Sequence, residues 1–150
     1  MERVLVSSCL LGAAVRYDGR AKTNTSAILA RWRAEGRIVG FCPELAGGLG
    51  VPRPPAELRD GGVVTEAGGD VTEAFRRGAR QALEAAERAG VKVAVLKEGS
   101  PSCGSHQIAD GTFTGTKIPG SGITTDLLRA HGIHVFSENE LEEADRWLTR

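Results

Sequence analysis

Four short runs, at residues 3–6, 37–41, 91–96 and 133–136, are apolar and largely β-branched, and few polar residues alternate within them. Alternation marks a strand with one wet face, and its absence marks strands covered on both faces. Helical patterns lie between the runs, at residues 25–35, 71–89, about 124–130 and 138–148. In the second, Asp70 and Glu73 resemble a capping box with Asp in place of the usual Ser or Thr, and Gly90 supplies the stop. Val71, Phe75, Ala79, Ala82, Leu83 and Ala86 form its apolar stripe. Strands alternating with helices predict an α/β fold: a mainly parallel sheet with flanking helices, Rossmann-like βαβ units and right-handed crossovers. Trp32 and Trp147 fall on apolar helix faces and are assigned to packing, while His131 and His134 flank the last strand at its edge.

The chain has 150 residues, enough for one domain with a proper core and no disulfide staples. Lys plus Arg and Asp plus Glu number 19 each, so the formal charge is zero and no long-range field draws the chain to a polyanion. Neither a long nucleic acid nor an anionic membrane is expected as main partner. The first residues enter a strand-like run at once, and nowhere do about eighteen apolar residues occur together. The expected compartment is the cytoplasm. Three cysteines, an odd number, argue for reduced thiols rather than a disulfide framework.

Cys9, Cys42 and Cys103 each follow closely on a strand-like run. In an open parallel sheet, ligands collect in the crevice beyond the carboxyl ends of the strands, so three distant thiols can meet there. Three protein ligands around a metal that prefers four leave one position for substrate. Two segments that fit no regular element, residues 43–69 and 99–122, each begin beside a cysteine and are expected to wall a pocket.

Each cysteine has its own surroundings. Arg16 follows Cys9 after six intervening residues, one too many for a phosphatase loop. Cys42-Pro43-Glu44 places a carboxylate two residues from a ligand. Such a Glu serves as a general base on water once partial burial raises its pKa toward neutrality; its plainer role is as a solvated loop carboxylate or a partner for Arg53. Around Cys103, the segment Lys97-Glu98-Gly99-Ser100-Pro101-Ser102-Cys103-Gly104-Ser105-His106 is dense in hydroxyls and loop amides suited to an anion or a reacting sulfur. His106 stands three after Cys103, so zinc held by the three cysteines and His106, stabilising a nucleotide-binding module, is the alternative; the chain offers none of the local Cys pairs zinc sites favour. Gly120-Ser121-Gly122-Ile123-Thr124-Thr125 opens a helix whose free amides suit a phosphate, with Lys117 nearby, or are simply capped by a Thr.

Ser-x-Cys-Leu-Leu-Gly with Val-Arg-Tyr-Asp-Gly, Cys-Pro-Glu with Gly-Gly-Leu and Pro-Arg, Asp70-Val71-Thr72, and Ser-Pro-Ser-Cys-Gly with Asp-Gly-Thr-Phe together resemble the domain of unknown function 523. The likeness runs from Ser7 to about Glu138, with its motifs in order. That family includes thiouracil desulfidases carrying a 4Fe-4S cluster held by three cysteines, so the resemblance implies Cys9, Cys42 and Cys103 as ligands and one iron without a protein ligand. Longer members carry a further carboxyl-terminal domain and act on thiolated tRNA or thiouracil. Short members resemble desulfidases of free thiopyrimidine nucleotides such as 4-thiouridine monophosphate, a substrate that suits a neutral chain better than an extended phosphate backbone. The expectation that follows is non-redox hydrolysis with loss of hydrogen sulfide: the open iron polarises the thiocarbonyl, Glu44 activates water, and Ser100, or second Ser102, orients substrate or relays a proton. Arg16, Arg53 and Lys117 are the candidate phosphate contacts.

Overall fold

The computed structural model describes residues 2–149. Strand β1 (Val4–Ser7) runs into a 3-10 turn (Ser8–Leu11), and helix α1 (Ala27–Ala34) leads to β2 (Ile38–Phe41). A short helix α2 (Pro43–Ala46) and a hairpin of β3 (Ala56–Arg59) and β4 (Gly62–Thr65) precede the long helix α3 (Thr72–Arg88). Then come β5 (Val93–Leu96), a second hairpin of β6 (Gln107–Ala109) and β7 (Lys117–Pro119), α4 (Ile123–Ala130), β8 (His134–Ser137), a 3-10 turn (Glu138–Glu140) and α5 (Leu141–Leu148).

The four expected apolar runs form one all-parallel sheet in the order β2-β1-β5-β8. Counted along the chain this is the order 2-1-3-4 of the flavodoxin-type doubly wound sheet, with β1 and β5 at the switch point. Side chains alternate between the faces with the strand period of two. Val4, Val6, Val93 and Val95 pack with Leu29 and Trp32 of α1 and with Leu141 and Ala144 of α5. Leu5, Ala94, Leu96 and Val135 pack with Ala86 of α3 and Leu128 of α4 on the other face. Both faces are therefore dry, which is why the runs show little alternation. None of the helices among the described residues is long and apolar enough to cross a membrane.

α3 ends as its sequence predicts. Gly90, at φ +66°, lets its N–H reach the Glu87 carbonyl at 3.2 Å and that of Val91 reach Ala86 at 2.9 Å, the paired bonds of a Schellman stop. Its start differs from the expected capping box. Val71 is the N-cap without a side-chain bond, Asp70 Oδ1 accepts from the Thr72 amide at 2.9 Å, and Glu73 turns outward to Arg80. Thr72 instead ties the helix to β4, its hydroxyl accepting from the Val63 amide at 2.8 Å.

The two segments expected to be irregular contain the hairpins. Asp60 and Gly61 both take positive φ, 51° and 79°, as a two-residue turn between right-twisted strands requires. The hairpins lock together through Arg59 Nε donating to the Gly111 carbonyl at 3.0 Å, and Glu57 Oε1 accepting from the Gly111 and Phe113 amides at 2.9 and 3.2 Å. They stand beyond the carboxyl edge of the sheet as walls.

Candidate active site

Between those walls and the strand ends lies a cavity of about 600 Å³, within the range of small-molecule sites. Cys9, Cys42 and Cys103 all line it, and all three are free thiols. Cys9 packs with the α1–α5 side of the sheet and Cys103 with the α3–α4 side, so the sulfurs arrive from opposite layers.

Cys9 sits in the 3-10 turn that ends β1, its carbonyl accepting from the Lys22 amide at 2.9 Å. Cys42 is the N-cap residue of α2, with Pro43 at the first helical position, where its missing N–H is harmless. Two glycines let α2 lie against α3 backbone to backbone. A Cβ on Gly47 would meet the Ala74 carbonyl at 2.0 Å, and one on Gly78 would meet the Pro43 carbonyl at 1.9 Å.

Cys103 lies in a loop held from two sides. The first amides of α4 are spent on it: Gly122, Ile123 and Thr124 donate to the carbonyls of Gly104, Pro101 and Ser102 at 2.8 to 2.9 Å. The helix start expected to be free for a phosphate is thus filled by the cysteine loop, and Thr125 donates its hydroxyl to the Cys103 carbonyl at 3.0 Å. On the other side Glu98 gathers the amides of Gly99, Ser105, His106 and Gln107 on its carboxylate. Burial pushes that carboxyl up, but the amides of His106, Gln107 and Ser105 and the Ser105 hydroxyl outweigh it and hold its pKa below the ordinary value.

Burial raises the pKa of all three thiols. For Cys9 the proximity of Cys42 adds to the rise, and for Cys42 the amides of Leu45 and Glu44 and the Arg53 guanidinium partly oppose it. Cys103 is pushed up to about 12, first by burial and then by the nearby Glu44 carboxylate and the other two thiols. Ionised together, these three sulfurs would repel one another, so holding them as thiolates calls for a cation, and thiolate donors suit iron–sulfur clusters or zinc. Around one zinc at about 2.3 Å the sulfurs would stand about 4 Å apart. Among the described residues no group of three or more His, Cys, Asp or Glu side chains closes on a single ion in that way. His106, the fourth ligand of the zinc alternative, is exposed, and its Nε2 lies 2.8 Å from Glu140 Oε1. That donor set is not assembled here.

Residues 4–140 match the protein family described as 2-thiouracil desulfurase. The chain belongs to that family. It is 43% identical to the uncharacterized Bacillus subtilis (strain 168) protein YbbK, over 93% of this chain and 98% of that protein. It is also similar to a solved structure of the 4Fe-4S-dependent thiouracil desulfidase TudS, of the DUF523 group, with 54% identity, a TM-score of 0.98 and 99% of each chain covered.

The remaining site residues of this desulfurase-family chain fall into three groups. Glu44 and Ser100 line the cavity. Arg53 contacts Glu44 through Nε, at 3.1 Å, and Nη2, both on Oε2, and its remaining bonds go to the carbonyls of Gly50 and Val15. Its guanidinium is thus committed to the protein. The Ser100 hydroxyl accepts from the amides of Ser102 and Cys103 at 3.0 and 2.9 Å, which leaves its own proton to donate. Ser102 is buried, with its Oγ 2.7 Å from Thr124 Oγ1, and lies outside the cavity lining.

Arg16 and Lys117 also line the cavity, as does Lys22, which sequence reasoning missed. Arg16 makes a long contact of 3.9 Å to Asp18 and lies over the Tyr17 ring, 5.9 Å from its centroid. Lys97 is different: it pairs with Glu138 at 2.8 Å, and Glu138 accepts the Glu98 amide at 2.8 Å, joining the ends of β5 and β8. Tyr17, Glu57, Gln107 and Asn139 are among the other lining residues that the sequence did not single out.

Proposed function

We propose that this protein is a desulfidase that hydrolyses a thiopyrimidine base or its nucleotide, such as 2-thiouracil or 4-thiouridine monophosphate, to the oxo form. Water supplies the oxygen, the carbon–sulfur bond breaks, and sulfur leaves as hydrogen sulfide; no electrons are gained or lost. The observation that carries this reading is the meeting of three free thiols from opposite layers of the sheet in one cavity with a carboxylate, Glu44. Cys9, Cys42 and Cys103 would hold a 4Fe-4S cluster and leave one iron without a protein ligand. When bound, the cluster supplies a Lewis acid toward the thiocarbonyl sulfur.

The rest of the chemistry belongs to the side chains. Glu44, held through Oε2 by Arg53, takes a proton from the attacking water. Ser100, its hydroxyl fixed as acceptor for two amides, donates to the substrate and orients the ring. Arg16, Lys22 and Lys117 offer positive charge to a phosphate, whereas Arg53 serves Glu44. The chain is read as a single domain acting in the cytoplasm on a small molecule.

The deciding experiment is anaerobic reconstitution followed by iron and sulfide analysis and a thiopyrimidine assay. The reading expects about four irons per chain, release of hydrogen sulfide, and impaired cluster or lost turnover when any one of the three cysteines becomes Ser. Glu44→Gln, which also strands Arg53 and so lowers stability, is expected in its folded form to keep the iron and lose about a hundredfold or more in rate. Colourless, zinc-loaded protein with full activity would overturn the proposal.

A further inference from the structure

Resting on the desulfidase reading, we infer that Glu98 is the positioning residue of the third cluster ligand, its carboxylate closing the loop that presents Cys103. Oε1 accepts the backbone N–H groups of Gly99, Ser105, His106 and Gln107 at 3.1, 2.8, 3.1 and 3.1 Å. Oε2 accepts the Ser105 hydroxyl at 2.9 Å and shares the His106 amide at 3.2 Å. Cys103 lies within the span whose two ends are drawn onto this one side chain. Every donor is a neutral amide or hydroxyl of the loop itself, so the carboxylate works as the loop's internal template, and charge-assisted bonds of this kind are roughly twice as strong as neutral ones. Glu98 is itself fixed, since its amide donates to Glu138 Oε1 at 2.8 Å.

Nothing in the proposed chemistry uses Glu98, yet it carries the densest set of hydrogen bonds at the site. A carboxamide of the same shape has one acceptor where the carboxylate has two, and its NH₂ would confront N–H and O–H donors. Glu98→Gln therefore retains the fold while loosening the loop, and the Cys103 sulfur loses its fixed place.

The test measures amide hydrogen exchange on the full chain before and after anaerobic reconstitution, with iron content and the rate of visible-absorbance loss in air. Glu84→Gln, at an exposed pair with Arg88, is the control. In Glu98→Gln, exchange at Ser105, His106 and Gln107 should quicken about tenfold or more while the amides of β1 and β5 stay protected. Bleaching in air should be severalfold faster than in the control, with kcat lowered and KM little changed. Ser105→Ala, which removes one bond and keeps the charge, should move the same readouts in the same direction by a smaller factor, and serves if Glu98→Gln does not fold. Exchange and bleaching at wild-type rates in the folded variant would overturn the assignment. Failure of the desulfidase reading is separate: it would appear as wild-type chain without iron or turnover, while amide exchange still reports on Glu98.

Discussion

Gly78 of α3 lies against the carbonyl of Pro43 so closely that a Cβ would stand 1.9 Å from that oxygen. Backbone contact at this range fixes where Cys42 and Glu44 leave β2. Gly78→Ala should gain about 1 kcal/mol of helix propensity and lose more through overpacking, typically about 1–3 kcal/mol. The expected net result is lower stability in urea together with reduced iron uptake. A Gly78→Ala protein at least as stable as wild type, with full iron, would show that α2 shifts away freely.

Arg53 and Glu44 form a buried pair, with side chains only 7% and 16% exposed. Removing one partner of such a pair strands the other and costs about 3–5 kcal/mol. Arg53→Gln should therefore be strongly destabilised, and Glu44→Gln placed on top should return much of the loss. A double-mutant cycle by urea unfolding checks this, and additive effects of the two changes would mean the pair is not coupled.

The two serines before Cys103 should separate by phenotype. Ser102→Ala leaves the buried Thr124 hydroxyl without its partner at 2.7 Å, a stability loss of about 1–3 kcal/mol with turnover largely kept. Ser100→Ala removes the acceptor for two loop amides and a cavity donor together, so both cluster retention and turnover should fall. Thermal melts beside activity assays distinguish these outcomes, and the reverse pattern would exchange the two roles.

If the substrate carries a phosphate, Lys117→Gln should raise KM for 4-thiouridine monophosphate by about tenfold, the worth of one charge-assisted bond. KM for free 4-thiouracil should not move. An equal change for both substrates would remove Lys117 from phosphate binding.

Away from the site, Asp145 of α5 holds α1 by accepting from Arg31 and, at 3.1 Å, from the indole of the fully buried Trp32. The Arg31 bond, acting against partial burial and with help from Trp32, sets its pKa below the ordinary 3.8. A depressed folded-state pKa adds stability above the unfolded value, and that stability is lost as pH falls through the folded one. Asp145→Asn should be less stable than wild type at neutral pH, and the gap should close only below the unfolded value. Melting curves across pH, with Trp32 emission followed in a Trp147→Phe background, test this; a gap that does not change with pH would contradict it.

How much was legible in the sequence follows from range. The parallel sheet could be read because Val4–Ser7, Val93–Leu96 and their neighbours are buried on both faces, and burial is written in each run by itself. The convergence of Cys9, Cys42 and Cys103 followed from one topological rule about strand ends. The hairpins were hidden because their strands are three or four residues long and lie in stretches rich in Gly and Pro, although Asp60-Gly61 was a turn signal in plain view. Gly78, too, was a signal: a lone glycine inside an otherwise good helix costs about 1 kcal/mol and usually has a packing reason. The pairing of Arg53 with Glu44 stood in the sequence as one of two roles for that carboxylate, but the closure of a loop on Glu98 left no mark, because side chains choose such partners only once the backbone is in place.

Since one sulfur belongs to the upper layer of helices, another to the lower, and the third to a turn wedged between α3 and β2, no fragment of this polypeptide displays the full donor set. Under the desulfidase proposal, a cluster would therefore be captured by a folded scaffold rather than by a short stretch of chain.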